Sequence, residues 1–410
     1  MLSANTFDLY QTLNTDESIV KVEYRTYLPY IKSFNNSDTI EITLNRPDVW
    51  LSISDTAIVI KGKMKKTHGT GTVDLVLNAA AFLFDSISYE LFGTEVDSVR
   101  EPGIISTLRG YLCYEKDDSR ELETSSWTFP NHPTPNSTEN FVFRVPMSHL
   151  LNFFKDYRLA LCGKHTFRFI RSRNDNNAIK IVAGQGEAIG VTKAEIKIES
   201  MELKVKHIYP NDVMKLKLLQ EIKVDRPILM PFRRWELHEL PALTQNALKE
   251  VWSVKTASSI DCPRFVICGF QTDRKNNPTA DPNLFDNINV SDVRLLLNGD
   301  VIPQENLNLN FSRNEYSEAY YNYCEFYTSY MNYKKTTLLD HEQFKNRALF
   351  VIDCSRREET FKSSTVDIKL EVESREGFPA NTRMYCAIIN DVVMEYRPLS
   401  EIIRKVGPAY

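Results

Sequence analysis

Period-two alternation of apolar and polar side chains, repeated along most of the 410 residues, limits this chain more than any other feature. Such alternation marks strands with one buried face. Ile40, Ile42 and Leu44 alternate with Glu41 and Thr43, and Phe141, Phe143 and Val145 alternate with Val142 and Arg144. Val73, Leu75 and Leu77, then Phe82 and Phe84, continue the pattern. Ile196 and Ile198 lie on one phase and Met201, Leu203 and Val205 on the other, which predicts a bulge or bend at Ser200. Further on, Val366, Ile368, Leu370 and Val372 alternate with charged residues. Two dipeptides read as tight hairpin turns. Asn298-Gly299 separates Val293–Leu297 from Val301-Ile302, and Asn390-Asp391 separates Cys386–Ile389 from Val392–Met394.

Helical spacing is confined to short stretches, at 102–108, 147–157, 211–222 and 314–333. In the last, Ser312 followed by Glu315 has the form of a capping box. Tyr316, Tyr320, Tyr323, Tyr327 and Tyr330 then fall at steps of four and three, so they share one face. That face reads as the helix's own packing surface or as a contact surface, because Tyr is enriched at interfaces. The polar, Pro-bearing stretches 116–140 and 273–283 are expected on the surface.

Many short strands and few helices predict an all-β chain of sandwiches. One sandwich leaves about half of the chain unexplained, so two tandem jelly-roll β-sandwiches are expected, with a few short helices in loops. The boundaries expected are an N-terminal arm at 1–17, a first jelly roll at 18–209, a linker with a short helix at 210–227 and a second jelly roll at 228–410. Tyr209-Pro210-Asn211 and Asp225-Arg226-Pro227 break the chain on either side of that linker.

A net charge of −4 is not the footprint of a chain that lives by neutralising phosphates. Seven cysteines with no CxxC pair read as free thiols in a reducing compartment. Met1–Asn5 lacks the basic and apolar regions of a secretory signal, and no apolar run approaches the roughly 20 residues of a membrane span.

No catalytic constellation stands out. Seven histidines are scattered singly, and neither HExxH nor GxSxG occurs. His68-Gly69-Thr70-Gly71 and Gly184–Gly190 read as turns rather than phosphate loops, since no Lys-Ser/Thr follows. Lys61, Lys63, Lys65 and Lys66 form either a weak phosphate-facing patch or a solvated strand end. Arg233-Arg234 raises the same two readings. No catalytic residue, cofactor or metal ligand is expected.

The C-terminal half carries a recognisable series: Val251–Thr256, Pro263–Thr272, Leu284–Asn287, Asn306–Phe311, Leu349–Ser355 and Val366–Ser374. Together these segments resemble a group of arthropod proteins with a double jelly-roll domain, similar to the major capsid proteins of Polinton (Maverick) elements and adintovirus-like DNA viruses. The likeness is dense over 248–396 and thinner before Pro227. It implies a homotrimer with a six-sided outline, tiled into an icosahedral shell around double-stranded DNA. It also implies a virion component made in the host cytoplasm, with possible nuclear assembly, a penton or minor capsid protein as partner, and weak contact with packaged DNA. The stretches 116–140 and 273–283 and the tyrosine helix are then candidates for outer towers or trimer contacts. Two other readings use the same fold: a capsid-derived protein domesticated by its host, and a cupin- or lectin-like enzyme or carbohydrate binder.

Overall fold

A computed structural model describes residues 18–130, 140–255, 263–333, 336–355 and 367–406. The expected arm at 1–17, His132, Pro133, Pro135, Cys262 and Val366 lie outside the described residues.

Among the described residues nine strands precede the linker: β1 (Ile19–Tyr27), β2 (Thr39–His68), β3 (Thr72–Leu75), β4 (Phe84–Leu91), β5 (Thr94–Arg100), β6 (Asn140–Pro146), β7 (Ala160–Arg171), β8 (Ile179–Val182) and β9 (Lys193–Pro210). Seven form one sheet in the order β1-β9-β2-β7-β4-β5, with β6 also on β2, while β3 and β8 form a separate ribbon. The 30-residue β2 is the hinge of this arrangement. Its first part pairs with β7, from Thr39↔Ile170 to Ser52↔Ala160, and its second with β6, from Ala57↔Pro146 to Lys63↔Asn140. The register slips between Arg46 and Leu51 against β7, and between Ser52 and Ala57 against β9. A strand that bends and changes partners in this way makes the corner between two sandwich layers. Ile40, Ile42, Ile58, Ile60, Phe167, Phe169 and Leu203 fill the space inside.

The phase slip in β9 is a bulge. Lys61 opposes Ser200 and Gly62 opposes Ile198, so Glu199 is the extra residue. Ile196, Ile198, Met201, Leu203 and Val205 are consequently all buried.

After the linker come β10 (Ile228–Leu240), β11 (Lys249–Lys255), β12 (Pro263–Thr272), β13 (Val290–Leu297), β14 (Asp300–Ile302), β15 (Phe350–Asp353), β16 (Ile368–Ser374), β17 (Thr382–Arg397) and β18 (Ile402–Val406). They form two sheets, β10-β17-β12-β15 with β18 on β17, and β11-β16-β13-β14. Asn298 and Gly299, with φ of 51° and 96°, make the tight turn between β13 and β14. Two positive-φ residues define a type I′ turn.

The helices among the described residues are α1 (Ala79–Phe82), α2 (Pro102–Cys113), α3 (Lys116–Glu121), α4 (Met147–Leu150), α5 (Phe153–Asp156), α6 (Asp212–Val224), α7 (Ser317–Met331) and α8 (His341–Lys345). The linker is α6, and the Asn211 side chain caps it by accepting from the Met214 N–H at 2.7 Å. Every residue of α2 is buried, and α7 lies against α2 and β15, so one continuous core spans both halves.

Several expectations are corrected. Asn390-Asp391 is no turn, because β17 runs straight through it, with Asn390 opposite Arg234 and Asp391 opposite Arg233. Ion pairs from Asp391 to Arg264 at 2.6 Å and Arg233 at 3.6 Å hold its carboxylate within the sheet. The Ser312 capping box does not form. Asn310 caps a short 3-10 turn at Phe311–Arg313 instead, and α7 begins at Ser317. Phe82 ends a helix rather than lying in a strand, and 147–157 splits into α4 and α5. The surface stretch 116–140 conceals Trp127, which has no exposed surface and sits where a Cβ on Gly110 would come within 2.2 Å of its ring. The stretch 273–283 does not stay on the surface either, since Asp281 and Asn283 are buried between the halves.

Candidate assembly surfaces and functional residues

The lysine row occupies the second half of β2. Lys61, Lys63 and Lys65 point outward while Gly62 and Met64 point in. Strand β9 sets carboxylates beside them: Lys61 pairs with Glu202 at 3.4 Å, Lys63 pairs with Glu199 at 2.9 Å, and Lys65 is in register with Glu195. The bulge carries Glu199 to Lys63. Lys66 instead donates to the Gly71 carbonyl at 3.1 Å. A phosphate would have to displace these partners, so the row is a surface of mixed sign.

The two glycine-bearing stretches meet in space around a carboxylate of the chain itself. Glu187 accepts from the N–H groups of Thr70, Gly71 and Gly184 at 3.2, 3.0 and 2.9 Å, and from the Thr192 hydroxyl at 2.7 Å. These bonds hold its carboxyl down to about 2, the Gly184 N–H contributing most. Donors that could cradle an external anion are already occupied.

The tyrosine face of α7 turns inward. Tyr316, Tyr323 and Tyr330 are buried, and Tyr320 and Tyr327 are half-buried against the same core. Tyr323 donates to the Tyr111 carbonyl at 2.7 Å and accepts from the Leu339 N–H at 3.2 Å. Tyr330 lies against Trp235, Phe265 and Phe326, with the Arg233 guanidinium 4.3 Å from its ring centre. Tyr316 stacks on Phe311 and His341. A tyrosine spent on these contacts has no face left for a neighbouring molecule, which removes these three as tower or trimer contacts. Tyr321 and Tyr333 are the exposed ones here.

The seam between the halves is polar and closely bonded. Asn283 donates to the Leu77 carbonyl at 2.8 Å and accepts from the Thr107 hydroxyl at 2.9 Å, while its own carbonyl accepts from Tyr111 at 3.1 Å. Asn78 binds Ser106 at 2.7 Å and His149 at 2.9 Å, and Tyr114 meets the other ring nitrogen of His149 at 2.8 Å. Burial pushes the imidazoles of His149 and His165 down to about 3, which keeps both neutral at ordinary pH. Beside these groups lies a cavity of about 560 Å³ lined by Phe82, Arg100, Arg173, Gln271 and Tyr385. At its edge Lys275 bridges Glu101 and Glu239, and Arg383 also pairs with Glu239. Burial raises Glu101. It also opposes ionisation of Glu239, which the two cations nevertheless hold below the usual range. Among the described residues no group of three His, Cys, Asp or Glu side chains is placed to hold a metal. Among the described residues six cysteines form no disulfide, and Cys268 opposes Cys386 across β12 and β17.

Two exposed apolar surfaces escaped the sequence reading. Among the described residues strand β1 bonds only to β9. Its outward side and the residues after it present Val20, Val22, Tyr24, Leu28 and Tyr30. The alternation at 20, 22 and 24 was visible, but it does not say which side meets the core. The second surface is α6, of which no residue is buried. Met214, Leu218 and Ile222 overhang an apolar groove of about 470 Å³, while Val213, Leu216, Leu219 and Val224 face outward. No helix among the described residues is long and apolar enough to cross a membrane.

Known proteins give this geometry a context. The fold matches the capsid of the virus PBCV-1 at 11% identity and a TM-score of 0.60, covering 97% of this chain and 99% of that one. It matches a chain of the Sputnik virophage structure at 12% identity and 0.62, covering 99% and 92%. It matches the mavirus major capsid protein at 8% identity and 0.61, covering 100% and 94%. A search of curated protein sequences finds no match. The model of the double jelly roll-like domain matches residues 73–394, and the chain therefore belongs to that family.

Proposed function

We propose that this protein is the major capsid protein of a virus or virus-like element, a structural shell subunit whose two jelly rolls, 18–209 and 228–410, stand side by side. Three copies form a capsomer of six sandwiches, and these capsomers tile an icosahedral shell around DNA. The observation that carries this reading is coverage. Almost the whole chain superposes on almost the whole of three capsid subunits, so both sandwiches and the connection between them are shared. Strand pairing supports the division, since among the described residues strands up to Pro210 pair only with one another, as do those from Ile228 on.

The chain's surfaces suit such a role. A stable contact buries about 800 Å² on each partner. The edge of β1 that pairs with no strand among the described residues, and its apolar side, supply area of the kind that monomeric proteins cover or break with charge. The finer reading places the chain among Polinton- and adintovirus-like elements, with a penton protein as its partner at the vertices. Light scattering coupled to size-exclusion chromatography tests the capsomer. The reading expects three times the 47.4 kDa chain mass, and a single chain mass at high concentration would count against it.

A further inference from the structure

We propose that the cavity at the seam between the two halves is a binding site for a neutral sugar, a mono- or disaccharide whose hydroxyl groups pair with Gln271 and Tyr385. The cavity holds about 560 Å³, within the range of roughly 300–1,000 Å³ that takes a small molecule. Both halves build it, with Phe84, Ile104 and Ile170 from the first and Gln271, Pro282 and Tyr385 from the second.

Two buried polar groups select the chemistry of the ligand. Gln271 and Tyr385 are diagonal neighbours on one face of the β12–β17 pair, through the partners Gln271↔Arg383 and Gly269↔Tyr385. They are 1% and 0% exposed. The Gln271 amide nitrogen donates to the Pro282 and Leu284 carbonyls at 2.6 and 3.2 Å, which fixes the orientation of the amide. Its Oε1 and the Tyr385 hydroxyl have no hydrogen-bond partner among the described residues, whereas buried polar groups are normally paired. A ligand that satisfies both must give a proton to the amide oxygen and accept one from the phenol. A hydroxyl group does both, while a carboxylate oxygen only accepts.

Charge in the wall also favours a neutral ligand. Lys275 is held by Glu101 and Glu239, and Arg173 lies 4.0 Å from Asp85. The remaining cation, Arg100, is exposed at the mouth and makes no ion pair among the described residues, so it is free to donate to a hydroxyl. Phe82, Phe84 and Ile104 add apolar wall that the C–H face of a sugar ring covers. The site is complete within one chain, so the inference stands apart from the capsomer reading.

Saturation-transfer difference NMR on the full-length protein tests the site. The probes are glucose, galactose, mannose, N-acetylglucosamine, lactose and maltose, with glucuronic and N-acetylneuraminic acids as charged controls. Saturation should pass to at least one neutral sugar. Tyr385→Phe removes only a hydroxyl that has no partner among the described residues. It should leave the melting temperature unchanged and weaken that sugar's affinity about tenfold, the worth of one hydrogen bond. Ser86→Trp puts a bulky ring into the cavity from a half-exposed position on β4 and should abolish the transfer with circular dichroism unchanged. No transfer to any neutral sugar, transfer to the acids alone, an affinity that Tyr385→Phe does not change, or transfer that survives Ser86→Trp would overturn the proposal.

Discussion

Replacing Asp97 by Asn should flatten part of the pH dependence of stability. Asp97 lies in β5, is almost wholly buried, and accepts a hydrogen bond from the Phe153 N–H at 3.0 Å. The Arg234 guanidinium lies 3.7 Å away. Burial outweighs these favourable contacts and raises the carboxyl from 3.8 to about 6. The unfolded chain releases this proton near pH 4, about two units earlier than the folded chain does. Between those values the folded state binds more protons than the unfolded state, so stability falls as pH rises through the window. At 1.36 kcal/mol per unit, the wild-type chain should lose about 3 kcal/mol that the non-titrating variant keeps. Asn retains an oxygen for Phe153, which confines the change to the charge. Urea unfolding of both proteins from pH 4 to pH 7.5, followed by tryptophan fluorescence, reads the difference. A stability difference that stays constant with pH, or that shifts toward the wild type as pH rises, would refute the reasoning.

Other expectations follow from single contacts. Tyr323→Phe removes the partner of the Tyr111 carbonyl and of the Leu339 N–H, and should cost about 2 kcal/mol or more in thermal unfolding without changing oligomeric mass. Asn283→Ala removes the donor to the Leu77 carbonyl and the acceptor of the Thr107 hydroxyl proton at the seam, for a similar loss by denaturant titration. Gly110→Ala drives a methyl group into Trp127 and should destabilise by about 1–3 kcal/mol or more, seen as a lower melting temperature. Replacing Lys61 and Lys63 by Gln should shift stability by no more than about 1 kcal/mol per exposed pair and leave retention on heparin nearly unchanged, because each lysine already faces a carboxylate.

The features legible in the sequence were those set by neighbours a few residues apart. The bulge in β9 appeared as a change of phase at Ser200, and the β13–β14 turn as Asn298-Gly299, because backbone sterics decide both locally. The reading failed where a distant residue changed the local balance. Asn390-Asp391 has turn chemistry, yet Arg264 and Arg233, over a hundred residues earlier, neutralise the aspartate and keep β17 straight. Ser312 and Glu315 have capping chemistry, but Asn310 takes the cap first. The lysine row was visible, whereas its meeting with Glu199 and Glu202 depends on the β2–β9 register. The loop at 273–283 reads as surface because it is polar. Its polarity instead satisfies buried backbone groups of the other half, as Asn283 does for Leu77. The spacing of Tyr320, Tyr323, Tyr327 and Tyr330 places them on one side of a helix, while Tyr316 precedes α7. Only the packing of α7 on α2 shows that this side is internal.

Electron microscopy of the purified, concentrated protein tests the shell-subunit account most directly. Class averages with threefold symmetry and six lobes, two from each chain, are the result the account predicts, together with closed particles built from such units. Isolated two-lobed particles that never associate would contradict it.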